Sequence, residues 1–104
     1  MVNILGTEYK EIVDEELGNS CDGYCDCYDK SIVIKAPEQL LDENETMERK
    51  NRRKNEVILH ELIHAYMDES GLTYYSSDET LVEWIAQMFP KILKSYQEVK
   101  GQVI

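Results

Sequence analysis

The chain has 104 residues, enough for one compact domain with a modest core but not for two independent ones. Its 21 acidic residues outnumber its 11 lysines and arginines, and the resulting net charge of −10 would repel a phosphate backbone, which argues against nucleic-acid binding. No apolar stretch approaches the roughly 18 residues of a membrane span, and the N-terminus lacks the pattern of a signal peptide. We therefore expect a single soluble domain over residues 1–104.

Three cysteines lie close together, at Cys21, Cys25 and Cys27. An odd number clustered in this way does not form the disulfide framework of a secreted mini-domain, so a reducing, cytoplasmic location is expected. Cys25 and Cys27 would face the same side of a strand, and with Cys21 they could form a thiolate metal site. Reduced, half-buried cysteines are the preferred interpretation.

The first third of the chain has the pattern of strands. Residues 7–13 and 23–35 alternate apolar or aromatic residues with polar ones and are rich in Tyr, Ile and Val. The stretch CYDKS supplies a turn, so residues 23–35 are predicted to form a hairpin that ends before Pro37. We expect a small antiparallel sheet.

A long helix is predicted from about residue 46 to residue 70. Asn44 or Thr46 can cap its start, and Gly71 stands where a left-handed residue ends a helix. The domain is thus expected to be α+β, with the sheet and its hairpin packed on this helix.

A second, C-terminal helix follows. Ser76 with Glu79 fits a capping box, although Ser77 is a competing cap. Pro90 predicts a kink or a break near Phe89. Six residues at helical spacing predict a stripe that faces the core. They are Leu81, Ile85, Met88, Ile92, Tyr96 and Val99.

The only two histidines lie four residues apart in the stretch HELIH, residues 60–64. Residues at this spacing share one helix face, so His60 and His64 can both direct an imidazole at one metal ion. Glu61 lies about 100° further round the helix, within reach of a water at the open position of the metal. It is therefore predicted to be a base and not a ligand.

A zinc site needs a third protein ligand, and it must come from another element. Asp68 continues the same ridge but lies about 12 Å along the axis from His60, too far to share one ion. Glu79 and Glu83 are again four residues apart, so one can bind the metal while the other supports it.

These residues resemble a known family. HELIH followed by DETLVEW resembles the gluzincin branch of zinc metallopeptidases. The runs NILGTEY, GYCDCYDKSIVI, HELIHAYMDESGL and ETLVEWIAQMFPKI are similar to small zincin-like proteins encoded by prophages and integrative elements. The likeness covers most of the chain but is weak over residues 36–56. The metzincin branch would require Gly in place of Met67 and His in place of Ser70, so it is excluded.

The resemblance implies a minimal zincin-like fold and a site for Zn²⁺. It implies His60, His64 and Glu79 as ligands, Glu61 as general base and acid, and Glu83 as the partner that supports the first histidine. Asp78 stands where the family often has Asn, and Glu83 where a shorter Asp is common, so the two glutamates could exchange these roles.

The implied activity is zinc-dependent hydrolysis of a protein or peptide, in which metal-activated water attacks the peptide bond. Tyr74 and Tyr75 are the nearest candidates by sequence for a donor to the developing oxyanion. By resemblance, an extended substrate would lie along an edge strand that the hairpin supplies. The alternative is a catalytically weak or inactive interaction module of a phage or mobile element, in which zinc holds two helices together. The presence of Glu61 favours the enzyme.

Overall fold

The computed structural model describes residues 1–18 and 21–103, and it shows an α+β fold in which a small sheet is followed by helices. The elements in chain order are β1 Val2–Ile4, β2 Thr7–Asp14, β3 Gly23–Asp26, β4 Ser31–Lys35, a 3-10 turn at Pro37–Gln39, α1 Met47–Glu69, α2 Thr73–Ser76 and α3 Glu79–Val103. Over the described residues, none of the helices combines the length and the apolar composition that a bilayer crossing requires.

The sheet is mixed, with the strand order β1-β2-β4-β3. β3 and β4 form the predicted antiparallel hairpin, but β4 also pairs in parallel with β2, with Ile12 opposite Val33. The expectation of a purely antiparallel sheet is therefore wrong. The reason lies in β4, because all five of its residues are buried and such a strand belongs in the centre of a sheet. β1 was not predicted from the sequence.

The first helix has the predicted bounds. The Thr46 hydroxyl accepts a hydrogen bond from the Arg49 amide at 3.2 Å, which satisfies one free N–H of the first turn. α1 ends at Glu69, and Gly71 has a φ of +88°, a conformation that costs a glycine little.

The hydrophobic core lies between α1 and the sheet. The apolar cluster combines β1, β2 and β4 side chains with residues of α1. Its fully or nearly buried members are Ile4, Tyr9, Ile32, Ile34, Val57 and Ala65. This core fixes the face of α1 that meets the sheet, so the histidines, on a different face, are directed elsewhere.

α3 packs on α1 through a narrow contact. Val82 and Ala86 are the buried apolar residues of its first half, and the helix continues through Pro90 without a break. Ile92, Tyr96 and Val99 are each more than half exposed, so the predicted core-facing stripe is wrong for these residues. The stripe lies on a different side of α3 from the side that meets α1, and residues 89–102 are all exposed.

Glu69 at the end of α1 fastens this helix to the sheet. Its carboxylate accepts hydrogen bonds from Tyr9 Oη at 2.7 Å and Thr7 Oγ1 at 3.0 Å, and it pairs with Lys30 Nζ at 2.7 Å. Lys30 and Tyr9 together lower the pKa of Glu69 to about 2. Burial raises the pKa of Tyr9, so its hydroxyl keeps the proton that it donates.

We expect Glu69→Gln to lower the free energy of unfolding at about pH 6, because the charge-assisted bonds of the carboxylate are lost. The folded-state pKa lies below the unfolded value of about 4.3, so the contribution of Glu69 is complete above that value and disappears as the pH falls through about 2. Urea unfolding at several pH values should therefore show the wild type and the variant converging in acid. Glu8→Gln, an exposed change on β2, is the control and should unfold like the wild type. A pH-independent gap between Glu69→Gln and the wild type would contradict this account.

Candidate metal centre

The two histidines of α1 turn their rings toward one point. The ring centroids of His60 and His64 lie 5.0 Å apart, and the two Nε2 atoms are 3.3 Å apart. Both side chains are largely shielded, with 17% and 12% of their surface exposed. The spacing of four residues on a helix thus produces the predicted pair of converging nitrogens.

Glu79, the first residue of α3, completes this group. One carboxylate oxygen lies 2.9 Å from His60 Nε2 and the other lies 3.1 Å from His64 Nε2. Donor atoms about 2.05 Å from a tetrahedral zinc ion are about 3.3 Å from one another, close to the separations of these three side chains. The donor set of two imidazoles and one carboxylate, with all ligand atoms within 4.8 Å, therefore fits a zinc ion.

Glu83 occupies the other side of His60. Its Oε2 lies 2.7 Å from His60 Nδ1, and its Oε1 accepts a hydrogen bond from Gln87 Nε2 at 3.0 Å. An ionised carboxylate can only accept, so Nδ1 of His60 donates to Glu83, and Nε2 is left either to bind a metal ion through its lone pair or to donate a proton to Glu79. Glu83 is therefore placed to support the first histidine, while Glu79 faces both Nε2 atoms.

Ser76 contacts the second histidine, His64. The sequence did not predict this contact. Its hydroxyl lies 3.0 Å from His64 Nδ1 and 3.5 Å from the His64 carbonyl oxygen. Ser76 is not the cap of α3, because Asp78 accepts a hydrogen bond from the Leu81 amide at 3.1 Å. The sequence predicted Ser76 or Ser77 as the cap of this helix, and both predictions are wrong because Asp78 has this role, which leaves the Ser76 hydroxyl to contact His64.

The convergence of these groups has an electrostatic consequence. With protons on both Nδ1 atoms, the lone pairs of the two Nε2 atoms and the two oxygens of Glu79 would meet at 2.9 to 3.3 Å. Acceptors at such distances repel one another unless a cation, or a proton on one ring, lies between them. A divalent cation satisfies all of the acceptors together.

Glu61 lies beside this group and is buried, with 6% of its surface exposed. One oxygen is 4.0 Å from His60 Nε2, beyond the distances of the ligand atoms. Burial raises the pKa of Glu61 above the ordinary value for a glutamate, and Glu79 adds to this, whereas His64 and His60 oppose it.

A cavity of about 580 Å³ opens onto the site between α1, α3 and the edge strand β3. Neither Tyr74 nor Tyr75 lines it: their exposed fractions are 84% and 51%, and their rings stack edge to face on each other. The structure therefore does not bring the two predicted oxyanion donors to the site. Tyr24 of β3 lines the cavity instead.

The cysteines do not join the metal group. Cys21 and Cys27 are exposed and Cys25 is half-buried, and all three are free thiols. Burial raises the pKa of Cys25 to about 12, so it remains a neutral thiol at physiological pH. The group of ligand atoms found among the described residues contains none of the three.

Comparisons of this chain with protein-family models, with curated proteins and with solved structures found no match. The chemistry of the site is therefore inferred from its own residues.

We expect Ser76→Ala to weaken zinc binding by about tenfold, the lower end of the effect of removing a partner that orients a histidine ligand. The reason is that His64 loses the hydroxyl that holds its ring in place. Ser77→Ala is the matched control, because the Ser77 hydroxyl binds the Tyr74 carbonyl oxygen instead. Competition with a chromophoric chelator measures both affinities, and equal affinities would show that Ser76 has no orienting role.

Proposed function

We propose that this protein is a zinc-dependent metallopeptidase with a minimal zincin-like fold. The observation that carries the proposal is the convergence of His60 Nε2, His64 Nε2 and the Glu79 carboxylate, with the buried carboxylate of Glu61 alongside. Three protein ligands leave a position open for a reactant, which distinguishes a catalytic zinc site from a closed structural one. His60, His64 and Glu79 would hold the ion.

A zinc ion held there supplies Lewis-acid chemistry, which acidifies water and polarises a peptide carbonyl. The chain positions the reacting groups around it. Glu83 and Ser76 fix the two rings through their Nδ1 atoms, so that each Nε2 keeps its direction.

Glu61 is the proposed general base and acid. Its carboxylate lies at the cavity wall next to His60 and accepts the proton of the attacking water. It then delivers this proton to the nitrogen of the departing amine, which completes the hydrolysis of one peptide bond.

The substrate class follows from the position of the cavity. Gly23, Tyr24 and Cys25 of β3 line it, and β3 is one of the two edge strands of the sheet. An extended peptide can add to such an edge through backbone hydrogen bonds, which would place one of its carbonyl groups near the ligand atoms. A protein or peptide is therefore the proposed substrate.

One observation favours the second candidate, a zinc-stabilised interaction module without activity. α3 is attached to the rest of the chain through few buried apolar residues, Val82 and Ala86, so a metal that joins α3 to α1 would stabilise the fold substantially. Such a module has no use for Glu61. The effect of removing the Glu61 carboxylate on peptide cleavage therefore distinguishes the two candidate functions.

For the metal, we expect about one zinc ion per chain in the purified protein. Glu79→Gln removes a ligand, whereas Glu83→Gln removes an outer partner and should weaken zinc binding by about 10 to 100-fold. Zinc affinity should therefore fall further in Glu79→Gln than in Glu83→Gln. Glu98→Gln, an exposed change on α3, is the control. Elemental analysis and chelator competition measure the series, and a larger loss in Glu83→Gln would exchange the roles of the two glutamates.

For the activity, we expect Glu61→Gln to retain zinc but to lower the cleavage of a quenched-fluorescent peptide library by at least about 100-fold, because proton transfer is lost. Glu48→Gln, at the exposed start of α1, should cleave like the wild type. An active Glu61→Gln would contradict the assignment of the base. A zinc-loaded wild type without activity would favour the interaction module.

A further inference from the structure

The C-terminal half of α3 presents an apolar surface that the rest of the chain does not cover. Phe89, Ile92, Tyr96 and Val99 have exposed fractions of 47%, 55%, 59% and 57%. The radius of gyration is 15.2 Å, whereas a compact chain of this length would have about 13 Å. The end of α3 therefore projects from the body and exposes side chains of the type that helices bury.

These residues follow a regular spacing. Ile85, Phe89, Ile92, Tyr96 and Val99 are separated by four, three, four and three residues, the alternation that lines one edge of a helix in a two-helix contact. We call these five residues the α3 seam. The side of α3 that meets α1 carries Glu79, Glu83 and Ala86, which lie roughly 100° or more round the helix from the middle of the seam. Val82, seven residues before Phe89, lies on the seam's own side and is buried, so the seam begins where this side of α3 emerges from the body.

We propose that the α3 seam binds the α3 seam of a second copy of this chain, in antiparallel orientation. Covering the exposed parts of the seam and of Leu93 beside it would bury on the order of 500 Å² per chain. Both copies together would then bury about 1,000 Å², the lower limit for a specific interface. The seam is therefore large enough for a specific contact between two chains.

Charge selects the orientation. The chain carries a net charge of −10, yet residues 87–103 contain three lysines and one glutamate, so the projecting end is basic. A parallel pair would place the two basic ends side by side and the two acidic bodies together. An antiparallel pair centred on Ile92 separates the two basic ends from each other and the two acidic bodies from each other. It also places Val99 of each copy near Ile85 of the other. Lys91, Lys94 and Glu98 lie outside the seam, so the contact buries none of them.

The proposal does not depend on the metal centre, because the seam contains none of the residues at the cavity. Sedimentation of the full chain up to about 100 µM should show a monomer–dimer equilibrium. Ile92→Glu should raise the dissociation constant by at least about 100-fold, since the change occurs twice at the centre of the contact. Gln97→Glu adds the same charge outside the seam and should change the constant less than about threefold.

Both substituted positions are exposed on the projecting helix, so circular dichroism should show folded protein in each case. A wild type that is monomeric at about 100 µM would overturn the proposal and would leave the seam for a different partner. A dimer that Ile92→Glu leaves intact would place the contact elsewhere and would overturn it as well.

Cysteine cross-linking tests the orientation. In a background with Cys21→Ser and Cys27→Ser, Ile85→Cys mixed with Val99→Cys should form a heterodisulfide, while Val99→Cys alone should form little dimer. Efficient cross-linking of Val99→Cys to itself would show a parallel pair and overturn the antiparallel arrangement.

Discussion

The arrangement of the site depends on one match in spacing. Two histidines four residues apart on α1 face two glutamates four residues apart on α3, and on both helices this spacing equals about one turn. Glu79 reaches both Nε2 atoms, while Glu83, one turn later, reaches Nδ1 of His60. A shift of α3 by one residue would rotate both carboxylates by about 100° and separate all of these pairs. The packing of α3 against α1 therefore determines the geometry of the site.

The surroundings of the site explain why a cation, and not an anion, suits it. The ionisable side chains that line the cavity are largely acidic, with Arg53 as the basic exception that pairs with Asp22 and Glu56. Several carboxylates in one concave surface produce a negative potential that attracts cations and raises their local concentration. The acidic residues at the cavity are Asp22, Glu56, Glu61, Asp68, Glu79 and Glu83. Six of the 21 acidic residues of the chain thus line the cavity where a metal would bind, and the basic end of α3 lies away from it.

Local patterns predicted local structure well and predicted long-range pairing poorly. The bounds of α1, the hairpin of β3 and β4, and the meeting of His60 with His64 follow from turns, caps and helix periodicity, which involve neighbours in sequence. The parallel pairing of β2 with β4 depends on which strand is central, and the role of Ser76 depends on how α2 meets α1. Apolar periodicity on α3 predicted a buried face but could not say what covers it, so the exposure of Ile92 was missed.

We propose that α1 and α3 together build one metal site. A crystal structure of the protein grown with zinc, with anomalous diffraction recorded on both sides of the zinc absorption edge, tests it most directly. We expect one strong anomalous peak about 2 Å from Nε2 of His60, Nε2 of His64 and a carboxylate oxygen of Glu79, with Glu61 adjacent but not bound. No peak at this position, or a peak ligated by other residues, would contradict it.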